Sequence, residues 1–304
     1  EGRLPEQAAE VAKAMLSELI RQSPMSAATV TAYVSLTYSL TGRVGSGRRG
    51  TADFAHEIAA RLPGLTAGLQ ATGAGTVRPA SAPELCEAVR AAYDPLVRPL
   101  LEAAHAAGDT PVIRWPDVGP AAAQAGWGWY RHDGSVSVTW TMTAAPRGEV
   151  FSSVLSDLLA PHPDVDHKRV TLLYRPVDAA RAARLVEQDK RNANFRAASS
   201  SRPSARLVLE QGAAALTAEE EARGAGLVGF AMLVTATVSD LQSLDDPAAA
   251  VDLARAAVDN LAATARIQLR PVYGSQDSAF AAALPLGIVP AAHQAVPREF
   301  RGLP

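Results

Sequence analysis

The residues that could do chemistry are few and scattered. Gly45-Ser46-Gly47-Arg48-Arg49-Gly50 matches G-x-G-x-x-G, follows a predicted strand and opens a predicted helix. In a dinucleotide site those glycines would let backbone N–H groups approach a pyrophosphate at the helix N-terminus. The next predicted strand should then end in an acid for the ribose, and it ends Val77-Arg78-Pro79. No Lys-Ser or Lys-Thr pair stands anywhere in the chain, so the phosphate-reaching lysine of a P-loop is missing too. The loop is therefore expected to be an exposed connection, with a nucleotide-dependent enzyme kept as an alternative. His162, Asp164, Asp166 and His167 are chemically able to ligate zinc or manganese. Pro161 and Pro163 favour an extended path there, and a solvated loop is the expectation. His56-Glu57 begins an H-E-x-x-H-like string, but position 60 is alanine. Cys86 lies on a predicted helix beside Leu85 and Val89 with no histidine assignable to it, and it reads as a small core residue. No serine stands in a G-x-S-x-G elbow. Asp245 and Asp246 are explained by helix capping. No catalytic residue, metal or cofactor is expected.

Two groups suit binding better than catalysis. Trp115, Trp127, Trp129 and Tyr130 cluster among glycines, and would anchor a partner or plug a domain junction. Arg181, Arg184, Lys190 and Arg191, continuing to Arg196, Arg202 and Arg206, make the strongest local basic excess and are candidate polyanion contacts. Interleaved Asp178, Glu187 and Asp189 favour a solvated helix face instead.

The elements that must position these groups follow from periodicity. Pro5 to Ile20 has a 3.6-residue apolar repeat, whereas Thr29 to Leu40 alternates and predicts a strand. Phe54, Ala55, Ile58, Ala59 and Leu62 line one helix face, and Leu69 to Val77 is a weaker strand. Ser81, Pro83 and Glu84 form a capping box for a helix ending at Asp94-Pro95. Asp133-Gly134 marks a turn before a strand containing Val136, Val138, Trp140 and Met142. A helix at Val154 to Leu159, a strand at Lys168 to Pro176 and a helix at Asp178 to Phe195 follow. Thr217 and Glu220 suggest a second capping box, and Gly226 to Ser239 a long strand covered on both faces in its first half. Asp246-Pro247 starts a helix. Ile267 to Tyr273 reads as a strand beside the long one, and Gln276 to Ala283 as a short helix.

This order predicts an α+β fold of repeated ferredoxin-like, split β-α-β layers, with mixed sheets and helices packed on one face. A doubly wound α/β sheet is the second reading. The expected divisions are an N-terminal α+β domain over 1–110, a Gly/Pro/Trp-rich junction over 111–134 and a C-terminal α+β domain over 135–304. At 304 residues with 48% hydrophobic composition the chain can bury a sizeable core. A net charge of -2 gives no global attraction to nucleic acid or anionic lipid. One cysteine excludes an intrachain disulfide. No apolar run is long enough to span a bilayer, so a membrane anchor, if the parent protein has one, is expected to lie outside this chain.

Gly119-Pro120, Trp127, Tyr130-Arg131-His132-Asp133-Gly134, Ala145-Pro146-Arg147, and Gln276-Asp277-Ser278-Ala279-Phe280 through Leu284-Pro285-Leu286-Gly287 carry a resemblance. Over residues 28–290 the chain resembles the cytosolic region of an actinobacterial membrane-protein family associated with conjugative or type IV secretion-like systems. Its C-terminal stretch is also similar to the N-terminal, non-ATPase domain of the ATPases of conjugative transfer. It departs at Ala145, where that pattern has tryptophan. The resemblance implies a non-catalytic interaction scaffold at the cytoplasmic face of the membrane, anchored by an N-terminal transmembrane hairpin. Its partners would be other components of the transfer machine, or further copies of itself. A nucleic-acid-binding accessory domain is the rival class, disfavoured by the charge balance.

Overall fold

A computed structural model describes residues 30–37, 43–44, 47–48, 50–73, 75–144, 153–199, 204–242, 244 and 246–288. Strand β1 (Arg43–Val44) pairs with β2 (Gly47–Arg48) as a minimal antiparallel hairpin. Three helices follow: α1 (Thr51–Ala71), α2 (Ala82–Tyr93) and α3 (Val97–Ala106). The remaining order is β3 (Ala123–Ala125), β4 (Tyr130–His132), β5 (Ser135–Ala144), α4 (Ser156–Leu159), β6 (His167–Pro176), α5 (Ala179–Ala198), α6 (Ala205–Ala222), β7 (Val228–Val238), α7 (Pro247–Thr264), β8 (Gln268–Pro271) and α8 (Gln276–Ala282).

The fold is α+β. Strands β3 to β8 form one six-stranded sheet in the order β3-β4-β5-β7-β6, with β8 also on β5. Read from β5 onward, the path is β-α-β, a helical hairpin, then β-α-β, and the sheet order is β8-β5-β7-β6. That is the split β-α-β arrangement of ferredoxin-like folds, with α5 and α6 placed in the connection from β6 to β7. β5 pairs antiparallel with β7 from Val136↔Val238 to Thr141↔Leu233. Its other edge is shared: β4 takes Ser135 to Ser137, and β8 takes Trp140 to Ala144.

The chain has two compact units, one being Leu172–Met232 and the other the chain on either side of it. In the first-described unit, α5 and α6 pack on each other, and Ala182, Val186 and Ala193 are buried. In the larger unit both faces of β5 and β7 are closed. Val138, Trp140, Val234 and Ala236 occupy one face. The other carries Ser137, Thr139, Thr235 and Thr237, all buried although polar. Ser137 Oγ and Thr237 Oγ1 are 2.6 Å apart, and the Thr139 and Thr235 hydroxyls 3.0 Å apart, so each hydroxyl is satisfied across the strands. Beside them lies an apolar cluster of Cys86, Val89, Ala92, Val118, Tyr130, Phe280 and Leu284.

Several local expectations hold. Ser81 Oγ accepts from Glu84 N–H while the Glu84 carboxylate accepts from Ser81 N–H, and α2 stops at Asp94 before Pro95. Asp246 caps α7 through Ala249 N–H. Asp133, at φ 47, makes the β4–β5 turn.

Others are corrected. Residues 30–37 belong to no strand. Ser35 and Thr37 donate side-chain bonds to the Pro285 and Gly287 carbonyls at 2.8 and 2.7 Å, leaving Val30, Val34 and Leu36 exposed. Alternation sets two faces, but a strand needs a neighbouring backbone to pair with. Leu69 to Ala71 ends α1 rather than opening a strand, and α1 buries none of its side chains. Helix α3 has no counterpart among the predicted elements. Ser204, not Thr217, caps α6; Thr217 is interior and its hydroxyl bonds Ala213 O. β8 pairs with β5, not with β7. The first half of β7 is open, with Val228 and Phe230 exposed, and burial begins at Met232. The predicted helix at Pro5 to Ile20 lies outside the described residues.

Candidate functional site

The aromatic group divides when folded. The loop between β3 and β4 closes with Gly126 N–H donating to Trp129 O at 2.8 Å. The Trp129 ring packs against Gly126, where an added Cβ would sit 2.3 Å from it. Trp127 is turned outward. Its carbonyl accepts from Gly274 N–H at 2.7 Å, and its ring covers Gly274, whose φ of 75 and lack of a side chain permit the approach. The indole stacks on Tyr273 at 6.1 Å and 16°, and the Arg270 guanidinium lies 5.9 Å over the other ring of the pair. Arg255 donates to Gly128 O at 3.2 Å. Trp127 is 73% exposed and Tyr273 46%. The result is an outward aromatic and cationic stack fixed at its base by backbone bonds.

Tyr130 is instead buried in the core, where desolvation raises its phenol to about 12. Trp115 opens a short 3-10 turn and is exposed; among the described residues it shares no ring contact with the Trp127 stack. The stack's partners Tyr273, Arg270 and Arg255 were invisible to sequence reasoning, since they lie more than a hundred positions away.

A serine–histidine pair exists that sequence reasoning also missed. His132 Nδ1–H donates to Tyr93 O at 2.5 Å, leaving Nε2 to accept from Ser137 Oγ at 2.7 Å. Burial holds this imidazole below its ordinary pKa, in keeping with a neutral ring. A nucleophile and base need this distance, but His132 and Ser137 are both fully buried. Phe280 packs at 4.7 Å from the imidazole, with Tyr93 and Tyr130 around it. Neither side chain reaches the surface, and the polar atoms of both are satisfied within the core. The quoted stretches Tyr130 to Asp133 and Gln276 to Leu284 converge here, on packing rather than on a cleft.

The basic candidates also separate. Arg181, Arg184 and Arg191 are exposed on the outward side of α5, together with Phe195. Lys190 is half-buried and lines a groove of about 570 Å³ between α5 and α6, with Glu187, Glu219 and Glu221. In the loop before β6, Asp166 accepts from the Ser239 N–H and hydroxyl. Burial lowers the pKa of His167. Among the described residues no three His, Cys, Asp or Glu side chains are grouped to hold a metal. Gly47 is a hairpin residue, paired with Val44. Among the described residues no helix is long and apolar enough to cross a membrane. No family model, curated protein or solved structure matches the chain.

Proposed function

We propose that the chain is a non-catalytic protein-interaction scaffold of a membrane-associated secretion or conjugative transfer apparatus, and that the Trp127–Tyr273–Arg270 stack is a docking point for another component. The carrying observation is the stack itself. Tryptophan, tyrosine and arginine supply most interface hot spots. Here they are exposed yet held by the Gly274–Trp127 backbone bond and the seat on Gly274, so little side-chain freedom is lost on binding. The resemblance supplies the apparatus, and anchoring at the cytoplasmic face would come from a segment outside this chain. The test is capture of apparatus components by the tagged chain from cells that carry them. Trp127→Ala should weaken capture by about thirtyfold, the factor for a 2 kcal/mol hot spot, with unchanged melting. Equal capture by both proteins sinks this reading.

A second reading, a nucleic-acid-binding accessory domain, is favoured by the exposed Arg181, Arg184 and Arg191 with Phe195 beside them. For a true binder, Arg184→Ala/Arg191→Ala should lower the log–log salt slope for duplex DNA by about 2. An unchanged slope removes it.

A further inference from the structure

Arg169 is a half-buried cation with no counterion. It stands third in β6, after His167 and Lys168, and its guanidinium lies 5.1 Å from the centre of the Phe280 ring. Its Nη1 is sealed from solvent and has no hydrogen-bond partner. Among the described residues no carboxylate pairs with it, Asp277 on the helix of Phe280 included. Buried charges are ordinarily paired, and an aromatic face returns only part of the lost hydration.

More positive charge bears on the same place. Arg98, near the start of α3, is exposed and forms no ion pair among the described residues, not even with Glu102 one turn on. Its charge disfavours protonation of both Arg169 and His167, so the three groups stand near one another. The Tyr93 ring packs 5.1 Å from Phe280, and its hydroxyl has no hydrogen-bond partner among the described residues. Neighbouring groups are engaged elsewhere: Asp166 accepts from Ser239, and the Lys168 ammonium donates to Ala160 O at 2.5 Å. Two guanidinium groups left together without an acid repel, and an anion between them removes the repulsion. We infer that the rim between α3 and the first residues of β6 is a binding site for a small dianionic oxyanion of the phosphate-monoester class, held by Arg169 and Arg98 with the Tyr93 hydroxyl as a further donor. The planar guanidinium fork suits such oxygens. Two unpaired positive charges favour two negative ones, which a carboxylate or a phosphodiester does not bring. The inference is independent of the Trp127 stack and of the exposed arginines of α5.

Thermal melting of the full chain at constant ionic strength and about pH 8, where phosphate monoesters are dianions, reads it. The probes are inorganic phosphate, methyl phosphate, dimethyl phosphate and acetate. The first two should raise the melting temperature saturably. Dimethyl phosphate and acetate should need at least about tenfold more for the same shift. Arg98→Gln should raise the half-saturating phosphate concentration about tenfold, with unchanged melting in its absence. Arg169→Met keeps an apolar chain over Phe280 and removes the uncompensated charge. It should melt no lower than the parent without phosphate and lose the phosphate response. The proposal is overturned by a parent with no saturable shift, by equal responses to all four anions, or by a phosphate response that survives both substitutions. An Arg169→Met protein melting well below the parent overturns it too, since the guanidinium is then a packing group.

Discussion

The side-chain amide of Gln276 takes the place of a strand residue opposite Thr139. Thr139 N–H donates to Gln276 Oε1 at 2.8 Å, and Gln276 Nε2–H donates to Thr139 O at 3.0 Å. The position lies where the pairing with β4 has ended and that with β8 has not yet begun, so the Thr139 N–H has no strand partner on this edge. Both residues are fully buried, and water cannot substitute. One glutamine thus ties α8 to the sheet and satisfies the gap in its ladder.

Gln276→Leu keeps the volume but strands Thr139 N–H; the Thr139 carbonyl retains its bond from Val272 N–H at 2.9 Å. A loss of about 1–3 kcal/mol is expected for one buried unsatisfied donor. Gln276→Glu should cost more, because a buried carboxylate would face the Thr139 carbonyl. Urea melts of the two variants give the order, and a Glu variant as stable as the parent contradicts the geometry.

His132 and His167 predict a mild acid sensitivity. Burial depresses both pKa values, most strongly by desolvation. Above the unfolded-state value of about 6.5 both states hold neutral rings and there is no penalty. As pH falls below it, the unfolded chain takes up protons that the folded chain refuses, so stability declines until the folded values are reached. The urea midpoint should therefore drop between pH 7.5 and 5, before carboxylates titrate. His132→Gln should flatten part of that slope; an unchanged slope means the imidazole is not the protonating group.

β7 predicts a contrast along one strand. Leu233 is buried at 7% exposure, whereas Phe230 is 42% exposed and meets Tyr174 at 5.4 Å. Leu233→Asp would bury an unpaired carboxylate and should cost about 4 kcal/mol. Phe230→Asp should cost under about 1 kcal/mol. Equal effects in denaturant melts would show that burial does not change at Met232.

The two central tryptophans should also behave oppositely. Trp140, at 1% exposure on the apolar face of β5, should cost about 3–5 kcal/mol when cut to alanine. Trp127→Ala should cost under about 1 kcal/mol while reducing partner capture. Calorimetric melting of both variants checks the first half, and the capture assay the second.

The sequence by itself determined what is local. The Ser81/Glu84 box, the Asp246-Pro247 start, the Asp133 turn and the alternation of β5 follow from short-range sterics and hydrogen bonding, and they appear where the residues place them. The α+β class followed from the order of those elements. Tertiary structure decided everything set by pairing at a distance. Alternation in residues 30–37 could not say whether another strand would be there, and none is among the described residues. Apolar content in β7 could not say which half is covered. The hydroxyls of Ser137 and Thr139 are satisfied in the core only because Thr237 and Thr235 meet them about a hundred positions on. Trp127 was legible as an aromatic among glycines, but its exposure depends on Gly274 and Tyr273, which reach it only because β8 shares an edge of β5 with β4. Such contacts are fixed by the free energy of the whole packing, and no window of sequence contains both partners.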